Sequence, residues 1–187
     1  MRYHEAGHAL AFYALGFRPR IISGSYAGHD GRTTSFARVL GKGPETDHAR
    51  TRAEDYAVCL VAGAVAESKY CGRPLAELRL TVGSADYENV YSISEDLMIY
   101  RNLEDCAAVR GAQVHLWESR AQALIGHPML WASTESLAEE LRMHGDRLIG
   151  KDLVLAIERG IRTVAEFPDS IISMLRGRRS SPNAILV

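Results

Sequence analysis

What this sequence has little of narrows its chemistry early. Its 187 residues include only 3 cysteines and 6 prolines, and aromatic residues make up 7%. The cysteines, Cys59, Cys71 and Cys106, are odd in number and form no C-x-x-C pair. Neither a disulfide framework nor a cysteine-ligated zinc site is therefore expected, and all three read as reduced thiols. Charge of one sign is missing too: 22 basic and 23 acidic residues leave a formal net charge of -1. That balance creates no field to attract nucleic acid, which is excluded as an expected partner. The most apolar stretch, residues 57–66, is about half of the roughly 20 residues needed to cross a bilayer, so no membrane span is expected. Met1 opens directly into a polar segment without a signal-like apolar run, which makes a cytoplasmic location the expectation. Internal repeats and a G-x-x-x-x-G-K-[ST] phosphate loop are absent as well.

What is present is ordinary globular composition, 47% hydrophobic and 24% charged, in a chain long enough for one domain with its own core. Residues 2–15 read as a helix, because nothing interrupts the run of alanines, Leu10 and Phe12 before Gly16 and Pro19. Two β-prone runs follow, residues 21–23 and 33–40, separated by the turn-forming Gly28, Asp30 and Gly31. They predict a small β-hairpin or sheet near residues 20–40, whose exposed edge within residues 33–39 could take up an extended peptide by strand addition. Beyond a break at residues 41–44, residues 46–70 form a buried helix closed by Cys71-Gly72 and Pro74. Ser84 caps a helix over residues 85–100, and further helices cover residues 103–125 and 128–143. A turn at His144-Gly145 leads to a short final helix starting near Gly150. The fold class is mainly α with a small β element: one domain over residues 1–175 and an arginine-bearing tail over residues 176–187.

Residues 4–8, His-Glu-Ala-Gly-His, match H-E-x-x-H. On a helix, His4 and His8 are one turn apart on the same face, so two imidazoles can hold one metal ion. Glu5 follows His4 by about 100° around the helix, where its carboxylate can take a proton from water at the ion. Ala6 and Gly7 place nothing bulky or charged between the two ligands. The other histidines, His29, His48, His115, His127 and His144, lack ligand spacing and read as surface or packing residues. Two acidic residues carry a double reading. Glu67, in the buried-looking helix, could orient a histidine from behind or serve as a ligand. Asp86, in the first turn of its helix, interacts well with exposed amides whether or not a metal is bound.

HEAGHAL, followed by LVAGAVAESKYCG and then TVGSADYENV, resembles the peptidase domain of the FtsH family of zinc proteases, over about residues 1–160. The resemblance implies a mainly helical zinc-peptidase domain with one Zn2+ held by His4, His8 and Asp86, and with Glu5 as general base. The implied activity is endopeptidase cleavage of flexible or unfolded polypeptides. Two positions depart from the family pattern: Ala64 stands where its A-G-R-x-A-E segment has arginine, and the interval from Gly83 to Asp86 is one residue shorter. These 187 residues contain neither the membrane anchor nor the AAA ATPase of that family, so the expectation is a stand-alone peptidase to which a separate ATPase or unfoldase would deliver folded substrates. Homo-oligomerisation is left open. The competing reading is a catalytically silent relative that keeps the fold as a binding or assembly module.

Overall fold

The first helix is made almost entirely of residues that a core accepts. In the computed structural model, which describes residues 1–17, 19–23, 32–35, 46–100 and 106–164, α1 (Arg2–Ala14) is buried without a break from His4 to Phe12. A helix buried on every side belongs at the centre of a domain. Here α1 lies between two halves of the core. Ala11 and Phe12 pack with Ala57, Val61, Tyr87, Val90 and Trp117, whereas Ala6, Ala9 and Leu10 pack with Ile22, Leu137, Leu141, Leu153 and Ile157.

The second central element is α2 (Asp47–Cys71), whose N-cap Thr46 accepts the Ala49 N–H at 3.1 Å. It ends at Gly72, which adopts the left-handed conformation (φ 73°) that lets the backbone N–H reach the Ser68 carbonyl. Residues 57–66 of α2 are all buried. Side chains at the α1–α2 crossing are small by necessity: a Cβ on Gly7 would stand 2.6 Å from the Ala66 Cβ and 2.7 Å from the Ala62 carbonyl oxygen. The backbones can approach this closely only with glycine at that position.

Around this pair stand α3 (Leu75–Arg79), α4 (Ser84–Tyr100), α5 (Ala107–Gly126), α6 (Pro128–Met143) and α7 (Gly150–Val164). A three-stranded antiparallel sheet in the order β2-β1-β3 completes the described residues, with β1 Pro19–Ser23, β2 Arg32–Ser35 and β3 Arg147–Ile149. Ile22, fully buried, pairs with Leu148 and joins the sheet to the α1, α6 and α7 half of the core. Between α6 and β3, Asp146 stands at φ 63°, a strained conformation for a side-chain-bearing residue. Arg2 donates to both of its carboxylate oxygens, with Nη2 to Oδ2 at 3.0 Å, and ties that turn to the first turn of α1.

The mainly helical fold with a small β element agrees with the sequence reading. Helix bounds shift by a residue or so, and Ser84 is the first residue of α4 rather than its cap. Three features differ. The sheet gains β3 from residues between the expected turn at His144-Gly145 and the expected final helix, α3 forms where no element was expected, and the helix expected from residue 103 is described from Ala107. β2 lies at one edge of the described sheet. The turn at Gly28, Asp30 and Gly31, the remainder of the second β-prone run, and the tail over residues 176–187 lie outside the described residues. All three cysteines are free thiols. No helix among the described residues is long and apolar enough to cross a membrane.

Candidate metal centre

Helical spacing puts His4 and His8 on one face of α1, and the fold turns that face toward the start of α4. Asp86, in the first turn of α4, meets both imidazoles there. The His8 and His4 Nε2 atoms are 3.0 Å apart, and Asp86 Oδ2 lies 3.1 Å from His4 Nε2 and 3.2 Å from His8 Nε2. Two nitrogens and one carboxylate oxygen thus form a nearly equilateral triangle. The rings meet edge to face, with an interplanar angle of 85°. His4, Glu5 and His8 are buried, and Asp86 retains 22% side-chain exposure, which opens the cluster to solvent on its side only in part.

The orientation of His8 is set from behind. Its Nδ1 lies 2.8 Å from the Cys59 carbonyl oxygen, which can only accept, so Nδ1–H donates and Nε2 is the nitrogen presented to the cluster. Gly63, one turn further along α2, makes room for the ring: a Cβ there would stand 2.4 Å from His8 Nε2 and 2.5 Å from Cε1. His4 has no equivalent support, since its buried Nδ1 finds no hydrogen-bond partner among the described residues.

The charges in the cluster are strongly coupled. Burial would depress the His8 pKa, but the Asp86 carboxylate, helped by Glu5 and the Cys59 carbonyl, outweighs it and pushes the value up to about 9. Burial would likewise raise Asp86, and the two histidines outweigh it, holding its carboxyl well below the usual range. A site that draws a proton between two imidazoles and a carboxylate is one that also favours a cation in that place.

These donors fit zinc. Zinc takes imidazole nitrogen and carboxylate oxygen, and bonds of about 2.0–2.1 Å in a tetrahedron separate neighbouring donors by about 3.3 Å. The three donor-to-donor distances, 3.0, 3.1 and 3.2 Å, come close to that spacing. Three protein ligands would leave a fourth position open, as catalytic zinc sites do. Among the described residues these are the three acidic or imidazole groups that converge closely enough to share an ion.

Glu67 is placed elsewhere. Its carboxylate lies 3.2 Å from the Met1 nitrogen, and it is not part of the converging group. Ala64 is fully buried, and a Cβ on Gly83 would stand 3.3 Å from the Ala64 Cβ. Sequence reasoning did not single out Gly63 or the Cys59 carbonyl. A glycine inside a buried alanine-rich helix was the one available signal, since such glycines mark close approaches. No family model matches this chain, and no curated protein matches it.

Proposed function

We propose that this chain is a zinc-dependent endopeptidase of the FtsH type, acting on flexible or unfolded polypeptides. The observation that carries the reading is the convergence of His4, His8 and Asp86 within 3.2 Å of one another, beside a buried Glu5. His8 and Asp86 can balance each other's charge without a metal, so what supports an ion here is the spacing of the three donors, which suits tetrahedral zinc, with Glu5 close by.

In this reading His4 Nε2, His8 Nε2 and Asp86 Oδ2 would hold the ion. Zinc, when bound, supplies Lewis acidity toward the scissile carbonyl and lowers the pKa of water to about 7. Glu5 would accept the proton of the attacking water on its carboxylate and return it to the leaving amide nitrogen. Cys59 and Gly63 keep the His8 ring in place, the first through its carbonyl and the second by having no side chain. Folded substrates would need delivery by a separate ATPase or unfoldase, and the site of action would be the cytoplasm.

The test is metal analysis of the purified chain together with cleavage of an unstructured protein, with and without a chelator. About one zinc per chain and chelator-sensitive cleavage are expected. Failure to bind near-stoichiometric zinc in calorimetry at neutral pH removes the reading. Normal zinc content without hydrolysis favours the silent binding module instead.

A further inference from the structure

Glu118 of α5 is a buried carboxylate, 4% exposed, that the proposed chemistry does not use. Its Oε1 accepts from the Tyr87 hydroxyl at 2.6 Å and from Arg79 Nη2 at 2.5 Å. His115 Nδ1, on an exposed side chain, lies 3.7 Å from Oε2. The Arg79 guanidinium also stands 5.0 Å from the centre of the Tyr87 ring. One carboxylate therefore joins α3, α4 and α5. A buried charge of this kind stabilises no better than a well-packed apolar residue of similar volume. What it adds is direction, since a hydrogen bond fixes distance and angle where a methyl contact does not.

The direction matters because of the residue next to Tyr87. Asp86 has a single methylene between backbone and carboxylate, so the place of its oxygen follows the backbone of the first turn of α4. On one side that turn rests against α2, where Gly83 packs so closely that a Cβ would stand 3.3 Å from the Ala64 Cβ. On the other it is held by the Tyr87 to Glu118 bond, and Tyr87 itself is 2% exposed. Side-chain tips lie about 5–6 Å from a helix axis, so a rotation of α4 by about 10° moves the Asp86 oxygen by about 1 Å. Metal–ligand distances tolerate only about 0.2 Å.

We propose that Glu118 is a positioning residue for the Asp86 ligand, setting the rotation of α4 through the Tyr87 hydroxyl. The proposal rests on the zinc reading of the His4, His8 and Asp86 cluster. It requires an acceptor at position 118 and a hydroxyl at position 87, and it does not require the charge.

Three variants separate these requirements: Tyr87→Phe, Glu118→Leu and Glu118→Gln, each titrated with zinc against a chromophoric chelator and loaded with Co2+ for its visible ligand-field bands. Tyr87→Phe and Glu118→Leu are expected to weaken zinc binding by about tenfold or more and to shift the Co2+ bands. Glu118→Gln, which keeps an acceptor for Tyr87, is expected to retain near-wild-type affinity and bands. Leu97→Ala, in the same helix but far along it, is expected to lower the melting temperature without moving either readout. Wild-type affinity and bands in Tyr87→Phe overturn the proposal, and so does equal loss in Glu118→Gln and Glu118→Leu. Where Glu118→Leu does not fold, Tyr87→Phe decides alone. A wild-type chain that takes up neither metal overturns the zinc reading and this proposal together, whereas metal-binding variants indistinguishable from wild type overturn this one only.

Discussion

Adding one methyl group at Gly63 tests the site more sharply than removing a ligand. The new Cβ of Gly63→Ala would stand 2.4, 2.5 and 2.8 Å from Nε2, Cε1 and Cδ2 of His8. Comfortable heavy-atom contacts begin near 3.5 Å, so the imidazole must retreat by about 1 Å. That is about five times the tolerance of a metal–ligand bond. Folding should survive the change. Alanine is favoured over glycine inside a helix by about 1 kcal/mol, which offsets part of the roughly 1–3 kcal/mol that overpacking costs. At this chain length each kcal/mol moves the melting temperature by about 2–4 °C, so the metal-free variant should melt within several degrees of wild type. Zinc affinity should fall about a hundredfold. At a zinc concentration of about 100 times the wild-type Kd, binding stabilises wild type by about 2.7 kcal/mol, and the variant by only about 0.4 kcal/mol. Scanning calorimetry with and without zinc reads the difference directly. A variant that folds and shows the full zinc-induced rise in melting temperature would refute the reasoning, because His8 would then not be confined by Gly63.

Glu5→Gln is expected to bind zinc normally and to lose nearly all hydrolysis, since the amide cannot accept the water proton; metal analysis and cleavage of an unstructured protein check the two halves separately. Asp86→Asn should weaken zinc binding sharply, whereas Glu67→Gln, whose carboxylate faces the Met1 nitrogen rather than the cluster, should still bind about one zinc per chain; comparable losses in a chelator competition would contradict this placement. Because the His8 pKa is raised from 6.5 to about 9, its ion pair stabilises the metal-free protein fully below about pH 6.5 and is lost as pH rises through about 9. Zinc must displace that proton, so affinity should rise about tenfold per pH unit between pH 6.5 and 8.5, and a flat profile in titrations at several pH values would contradict the coupling.

How much of this was legible in the sequence depends on how local each feature is. α1, α2 and α6 could be read because their apolar runs are long and their ends carry punctuation, such as Gly16, the Thr46 cap, Gly72 and Pro128. β3 and α3 could not. Three residues, Arg147–Ile149, become a strand only because β1 is there to pair with them, and the five residues of α3 are too few to show a period. The same division runs through the site. His4, Glu5 and His8 sit within two turns of one helix and announce themselves by spacing. Asp86 is 82 residues from His4, and local pattern left it level with Glu67 until the family resemblance favoured it. Gly63, the Cys59 carbonyl and Glu118 act through contacts between helices, and a single sequence contains no record of which helices meet.

The unbroken burial of α1 has a consequence for motion. Backbone amides in a helix enclosed on all sides exchange with solvent through global opening, whereas partly exposed elements open locally at lower free energy. Among the described residues, α1 and the equally buried run of residues 57–66 in α2 are therefore expected to exchange slowest, and the two histidines ride on the first of these. Asp86 rides on α4, whose outward face carries exposed residues such as Glu88, Asn89 and Tyr91. The histidines thus share one enclosed helix, whereas the carboxylate comes from a helix with an exposed face. In the zinc reading, loss of the ion is expected to begin on the α4 side, with the histidine pair left in place to receive it again.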